Sequence, residues 1–440
     1  MRFTVAELAE VVGGELHGVA PDAPLPSVDG AGIDSRRDLR GRLFVAVRAE
    51  RDGHDFVPDA VAAGASAVLV DHAVEVPVPQ VIVPDTVAAL GRAGAAARRR
   101  LAGPVVGITG SVGKTSTKDL LAAVFAVVGP TAASERSLNN ELGVPLTLLD
   151  APAGAQRAVL EMGARGPGHI AHLCRIAAPQ VGVVTAVAAA HTETFGSLED
   201  IGRAKGELVE ALPTDGLAVL TRAYPEVAAM APRSSAPIVW FGEGGDVVAE
   251  AVELDDELRP RFRLRSPWGD APVQLGVRGR HNVANALAAA AAALGRGLDV
   301  EAVVTGLAAA GASPWRMDLR TSVAGGRVLD DSYNANPASM RAALRTLAEL
   351  PARRRTAVLG VMAELGDDAA AAHRAIAAEA ASLGIEVVAV GTGLYGIEPL
   401  PDVAAAVAAL APPTEGQAAL VKGSRVAGLE RLAAAWTGEG

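Results

Sequence analysis

The sequence predicts an α/β protein of three domains, and three observations carry that expectation. Its 440 residues exceed what one hydrophobic core usually organises. Short apolar runs of strand length alternate with helical patches along the chain, the pattern of mainly parallel sheets. One of those runs passes through a glycine-rich loop directly into a helical segment.

Residues 1–85 alternate the runs Leu43 to Val47 and Ala67 to Val70 with helical patches, which reads as a small α/β domain. Residues 86–312 should form a central α/β domain of the P-loop ATPase type with a mainly parallel sheet. Its first strand is Val105, Val106, Gly107 and Ile108, followed by the loop and by Leu120, Leu121, Val124, Phe125 and Val128 at helical spacing. Further runs at Ala158 to Leu160, Val181 to Thr185 and Leu217 to Leu220 continue that sheet. Gly311 to Pro314 reads as a linker. Residues 313–440 then repeat the alternation at Val328 to Leu329, Ala357 to Val361, Val387 to Val390 and Ala419 to Val421, as expected of a Rossmann-like C-terminal domain. The Ala-rich stretches Leu287 to Leu294 and Val403 to Leu410 keep leucine and valine at helical spacing and are expected to be ordinary helix.

Half the residues are apolar, yet no long uncharged stretch would span a bilayer. The N-terminal MRFTVAELAEVVGG has acids within its first apolar stretch and no basic region ahead of it, so a cytoplasmic location is expected. A formal charge of −10 argues against a nucleic-acid-binding surface. The single Cys174 cannot form an intramolecular disulfide. His169, His172 and Cys174 do not share one helical face and are not expected to hold zinc. The arginine triplets Arg98 to Arg100 and Arg353 to Arg355 lie near element boundaries, where they can meet terminal carbonyls or water. Of 40 basic residues only Lys114, Lys118, Lys205 and Lys422 are lysine. A lysine kept in such a sequence is a candidate for work that needs a compact ammonium or a nucleophilic amine.

The loop Thr109 to Ser116 is a shortened phosphate loop, Gly-x-x-Gly-Lys-Thr, with Ile108 where the longer pattern has its first glycine. Gly110, Ser111, Gly113 and Ser116 would turn backbone N–H groups and the helix N-terminus toward phosphate oxygens. Lys114 would reach the terminal phosphates and Thr115 a magnesium ion. Glu161 ends the run from Ala158 and so lies at the C-terminal edge of the sheet, where a hard carboxylate suits magnesium. Ser197 to Asp200 reads as a helix start, and Lys205 then shares a face with Ile201, Leu208 and Val209. That lysine can snorkel, or its shielded amine can be modified to a group of opposite charge.

In order, Gly110-Ser-Val-Gly-Lys-Thr-Ser116, Asn139-Asn-Glu-Leu-Gly-Val-Pro145, Glu161-Met-Gly-Ala164, Lys205-Gly-Glu207, His281-Asn-Val-Ala-Asn285 and Asp331-Ser-Tyr-Asn-Ala-Asn-Pro337 resemble the Mur ligase family across nearly the whole chain. The resemblance implies an ATP-dependent ligase working through an acyl-phosphate, in peptidoglycan precursor synthesis. The asparagine-rich segments and Met362-Ala-Glu-Leu-Gly366 further imply D-alanyl-D-alanine and UDP-N-acetylmuramoyl-tripeptide as substrates. Asp34-Ser-Arg36, Leu43 to Ala46 and Asp52 to Phe56 are similar to the family's UDP-binding domain, with Ser35 and Arg36 on the uridine diphosphate. It also implies Asn139 and Asn140 on the muramoyl peptide, His281 and Asn282 on adenine, Asp331 on ribose with Asn334 and Asn336 beside the nucleotide, and Arg316 on phosphate. Lys205 would be carbamylated by carbon dioxide and, with Thr115, Glu161 and His191, would hold two magnesium ions. Ala186 stands where the family often has an asparagine that supports His191. A monomer is the expectation. The alternatives are a related ligase of the folylpolyglutamate type or with another amine substrate, and a P-loop ATPase that ligates nothing.

Overall fold

The computed structural model describes residues 1–18, 24–135, 138–188 and 197–438. The central sheet is six-stranded and wholly parallel, in the order Ile238–Phe241, Leu217–Thr221, Val181–Val184, Val105–Thr109, Arg157–Glu161, Thr131–Ala133. The strand that feeds the phosphate loop is therefore interior, flanked by the strand that ends in Glu161. Its five residues are all buried, as expected of a parallel sheet covered on both faces.

Helix Lys114–Val127 packs on one face through Leu120, Leu121, Val124 and Phe125, all inaccessible to solvent. The Ala-rich helix Asn282–Leu294 and helix Val300–Ala309 close against it. Small residues make that approach possible: a Cβ on Gly306 would stand 2.3 Å from the Val124 Cα. Helices Thr86–Arg99 and His169–Ala177 cover the opposite face. Buried Arg98 ties Thr86–Arg99 to the sheet, donating to the Ala177 carbonyl (2.9 Å) and to Gln180 Oε1 (2.6 Å), which also accepts the Val105 amide.

The N-terminal five-stranded sheet runs Glu15–His17, Gln80–Ile82, Ala67–Val70, Leu43–Val45, Ala31–Gly32, parallel except for its first pair. One apolar core continues from Leu43 and Leu69 through Leu90 and Ala93 to Leu160 and Leu173 of the central unit. The C-terminal sheet orders Asp318–Thr321, Arg327–Asp330, Gln417–Lys422, Arg354–Leu359, Glu386–Ala389, antiparallel only at its first pair. The fold is thus the α/β class expected, with a parallel central sheet and a doubly wound C-terminal one. An unexpected element is the antiparallel sheet Val248–Leu254, Pro260–Ser266, Gly269–Gln274. Its middle strand alternates buried Phe262 and Leu264 with exposed arginines, a period of two that the sequence carries. Among the described residues no helix is long and apolar enough to cross a membrane.

Candidate active site

The phosphate loop owes its shape to two glycines and two tethers. Gly110 (φ 150°) and Gly113 (φ 83°) take backbone conformations that a side chain disfavours. A Cβ on Gly113 would lie 2.4 Å from Asn285 Oδ1. Ser111 is tied to the loop after the neighbouring strand, its amide donating to the Ala186 carbonyl (2.8 Å) and its hydroxyl to the Ala188 carbonyl (2.9 Å). Thr185 Oγ1 donates to the Val112 carbonyl. Helix Lys114–Val127 begins immediately afterward, so its unpaired N–H groups open onto the loop.

Around that loop the chain brings distant residues together. Lys114 Nζ donates to the Gly110 carbonyl at 2.7 Å. Thr115 Oγ1 donates to Glu161 Oε2 at 2.7 Å, and Asn139 Nδ2 to Glu161 Oε1 at 2.9 Å. Glu161 is buried at 2% exposure, so its charge is shielded from water. Arg316, from beyond the linker, donates through Nη2 to Thr115 Oγ1 at 3.0 Å and stacks over the Tyr333 ring at 4.3 Å. Its neighbours Trp315 (φ 62°) and Met317 (φ 49°) are both left-handed, a strained backbone that turns Arg316 toward the loop. Ser313 Oγ reaches Asp119 Oδ2 on the phosphate-loop helix, a second fastening of linker to loop.

Lys205 comes from helix Leu198–Glu210, which Ser197 caps by accepting the Asp200 amide at 3.1 Å. It is 5% exposed. Burial, with the Lys114 ammonium nearby, brings its amine down to about 7. Burial also lowers Lys114, an effect that Glu161 opposes and Arg316 reinforces. Glu207, two residues further along the same helix, accepts the Gly168 and Ala171 amides at 2.6 and 2.9 Å and so caps helix His169–Ala177.

A cleft of about 1570 Å³ joins the three sheets and is lined by Ser111, Gly113, Lys114, Thr115, Ser116, Asn139, Glu161, His281, Asn282, Arg316, Asp331, Asn334 and Asn336. Buried His281 Nδ1 and Arg316 Nε have no hydrogen-bond partner among the described residues, which suits a cleft built for a polar ligand. Burial lowers the His281 pKa. Other expected residues are engaged within the protein. Asn282 Nδ2 donates to the Arg278 carbonyl and its Oδ1 accepts from Asn285, bracing the helix against the loop. Asn336 caps helix Pro337–Glu349, and Asn140 Oδ1 accepts the Gly143 amide at 2.9 Å. Ser35 and Arg36 do not line the cleft; Arg36 pairs with Asp34 (2.8 Å), and Arg37 and Arg42 line the cleft instead. His191 lies outside the described residues. Ala186 contributes its carbonyl to Ser111, as described, and no polar side chain.

Lys422 is the last of the four lysines. It is 2% exposed, and its Nζ meets Asp331 Oδ2, the Asp331 carbonyl and the Asn334 carbonyl, the last two at 3.3 and 2.8 Å.

Residues 108–293 match the Mur ligase middle domain and residues 315–425 the Mur ligase glutamate ligase domain. The UDP-N-acetylmuramoyl-tripeptide--D-alanyl-D-alanine ligase of Mycobacterium tuberculosis is 45% identical, over 89% of this chain and 84% of its own. The Escherichia coli enzyme of the same name is 38% identical, over 90% and 88%. The crystal structure of MurF from Acinetobacter baumannii superposes with a TM-score of 0.89 at 33% identity, over 100% of this chain and 99% of that one. MurF ligase from Thermotoga maritima in complex with ADP superposes at 0.76 with 27% identity, over 94% and 98%. The chain belongs to the Mur ligase family.

Proposed function

We propose that the protein joins D-alanyl-D-alanine to UDP-N-acetylmuramoyl-tripeptide at the expense of ATP, a step of peptidoglycan precursor synthesis in the cytoplasm. The observation that carries this reading is the convergence of Lys114, Thr115, Glu161, Asn139 and Arg316 on one cleft that also reaches Asp331 and Lys422. A switching ATPase gives no reason for the buried Lys205 or for the Asn139–Asn140 pair, whose Asn139 donates to Glu161.

ATP would lie with its phosphates on Gly110 to Ser116, adenine near His281 and ribose near Asp331, which Lys422 holds in place. The terminal carboxylate of the tripeptide attacks the γ-phosphorus, the bond to the β-γ bridging oxygen breaks, and ADP leaves. Lys114 and Arg316 neutralise charge on the transferred group. The amine of the dipeptide then attacks the acyl carbon, phosphate departs, and the amine gives up a proton. Trp315 to Met317 hold Arg316 from the C-terminal side, so binding there would also shield the acyl-phosphate from water.

Thr115 and Glu161 offer hard oxygens 2.7 Å apart, a donor set suited to magnesium. Lys205 as a carbamate, and His191, would complete two such sites. Bound there, magnesium would supply charge neutralisation for phosphoryl transfer. A carbamate forms when a neutral amine attacks carbon dioxide and loses a proton, and a buried amine near 7 is neutral for a large share of the time. The protein would act as a monomer.

Phosphate release measured with ATP, tripeptide donor and dipeptide should require all three. Equal turnover with ATP alone would reject the ligase, and preference for another amine would point to a related ligase.

A further inference from the structure

A second cavity of about 660 Å³ shares Lys114 and Asn139 with the cleft and extends to Lys205. Its walls come from helices Thr86–Arg99 and His169–Ala177, with Val87, Ala88, Leu173 and Ile176 as an apolar lining. Exposed Arg165, His169, His172 and Arg175 line it as well. The two imidazoles are oriented by their neighbours. His169 Nδ1 accepts the Arg165 amide at 3.1 Å, and Arg175 Nη2 approaches His172 Nδ1 at 3.4 Å. Each ring therefore keeps its proton on Nε2 and presents a donor. Of the two lining acids, Asp85 is occupied in capping Thr86–Arg99, accepting from Val87 and Ala88, and Glu141 comes from the chain beside Asn139 and Asn140. Arg92 is likewise occupied with the Val12 carbonyl. The result is an apolar slot bordered by two guanidinium groups and two imidazole donors against the single carboxylate of Glu141, a balance that suits an aliphatic side chain ending in a carboxylate.

We propose that this cavity holds the last residue of the acyl-donor peptide, and that Arg165 and Arg175 select a donor whose last side chain carries a second carboxylate. The inference rests on the ligase reading, because the carboxylate to be activated must sit beside Lys114, where cavity and cleft meet. A side chain ending in a lone ammonium would meet two guanidinium groups of like charge. One ending in an ammonium and a carboxylate would give those groups an acceptor.

The test compares UDP-N-acetylmuramoyl tripeptides ending in 2,6-diaminopimelate and in lysine, by titration calorimetry and by ligation in parallel. The diacid donor should bind roughly fivefold more tightly or better, a modest margin because both arginines are exposed. The double variant R165A/R175A should lose that preference by weakening the diacid donor while binding the lysine donor as well as before or more tightly. Equal affinities in the unaltered protein, or an equal loss for both donors in the variant, would overturn the proposal. Selective binding without amide formation would support the slot and sink the ligase reading. Normal ligation with no selectivity would do the reverse.

Discussion

Glu161→Gln separates the chemistry of the cleft from its architecture. The replacement is isosteric, so its carbonyl oxygen can still accept from Asn139 Nδ2 and its amide can donate to Thr115 Oγ1, the positions of the present 2.9 and 2.7 Å contacts. The Thr115 hydroxyl, already receiving Arg316, must then redirect its own proton. That rearrangement costs about 1 kcal/mol. Removing a charge from a group that is 2% exposed relieves desolvation and offsets part of it. Stability should therefore change by no more than about 1 kcal/mol. Catalysis should suffer far more, because a neutral amide is a poor magnesium ligand and no longer balances Lys114 and Arg316. A loss of about 3 to 4 kcal/mol in the phosphoryl-transfer barrier lowers kcat by roughly 10² to 10³. The assay is donor- and dipeptide-dependent phosphate release across a magnesium titration, with urea unfolding of the same preparations. Turnover within about threefold of the unaltered enzyme, at the same magnesium requirement, would refute the role given to Glu161.

Gly113→Ala should weaken ATP binding by tenfold or more, roughly the 1–2 kcal/mol of a left-handed alanine together with a Cβ driven into Asn285; unchanged ATP affinity by calorimetry would count against the loop geometry. Lys205→Ala should lose about 10² or more in kcat, and a short carboxylic acid added to the assay should restore part of it, whereas absence of any rescue removes the support for a carbamate. Asp330 is held by burial at about 6 instead of 3.8, so the folded state binds its proton more tightly than the unfolded chain. The stability it contributes is full below 3.8 and lost as pH rises through 6. Asp330→Asn should accordingly be more stable than the unaltered protein at pH 7, by about 2 to 3 kcal/mol, with the advantage vanishing toward pH 4. Parallel stability-pH curves for the two proteins would contradict this.

The parts of the site legible in the sequence were those set by chain-local periodicity. Val105 to Ile108 followed by the glycine loop and the spacing of Leu120 to Phe125 gives strand, loop and helix because the residues concerned are neighbours. Lys205 stood out because a lysine occupied an apolar position of its helix, and it is buried there. What could not be read were side-chain directions fixed by tertiary contacts. Asn282 and Asn336 carry polar side chains that a nucleotide could use, yet backbone carbonyls and amides nearby claim them. Arg98 was expected either at terminal carbonyls or in water; it meets the carbonyls that end helix His169–Ala177, and which of the two applied depends on a partner some 79 residues away in sequence. The antiparallel sheet from Val248 to Gln274 was visible as alternation in Pro260 to Ser266, but the alternating charges between its apolar residues resemble a solvated loop until the period is counted.

The lysines show what this arginine-rich composition preserves. Where a cation lies at the surface, arginine serves, as at Arg36 and Arg40, which pair with Asp34 and Asp38 and whose side chains are 88% and 83% exposed. Lys118, Lys205 and Lys422 are instead 4%, 5% and 2% exposed, and Lys114 folds back on the Gly110 carbonyl. Lys118 Nζ donates to the Ser134 carbonyl at 2.7 Å while pairing with Asp119, so it braces the carboxylate that Ser313 of the linker grips. Lys422 gathers three oxygens of the Asp331 loop with one ammonium, a convergence that a planar fork of guanidinium donors cannot reproduce in the same space. Lys114, Lys118 and Lys422 therefore lie where the C-terminal domain and the phosphate loop meet, while Lys205 borders the second cavity, and compactness rather than charge alone explains why lysine was kept at these places.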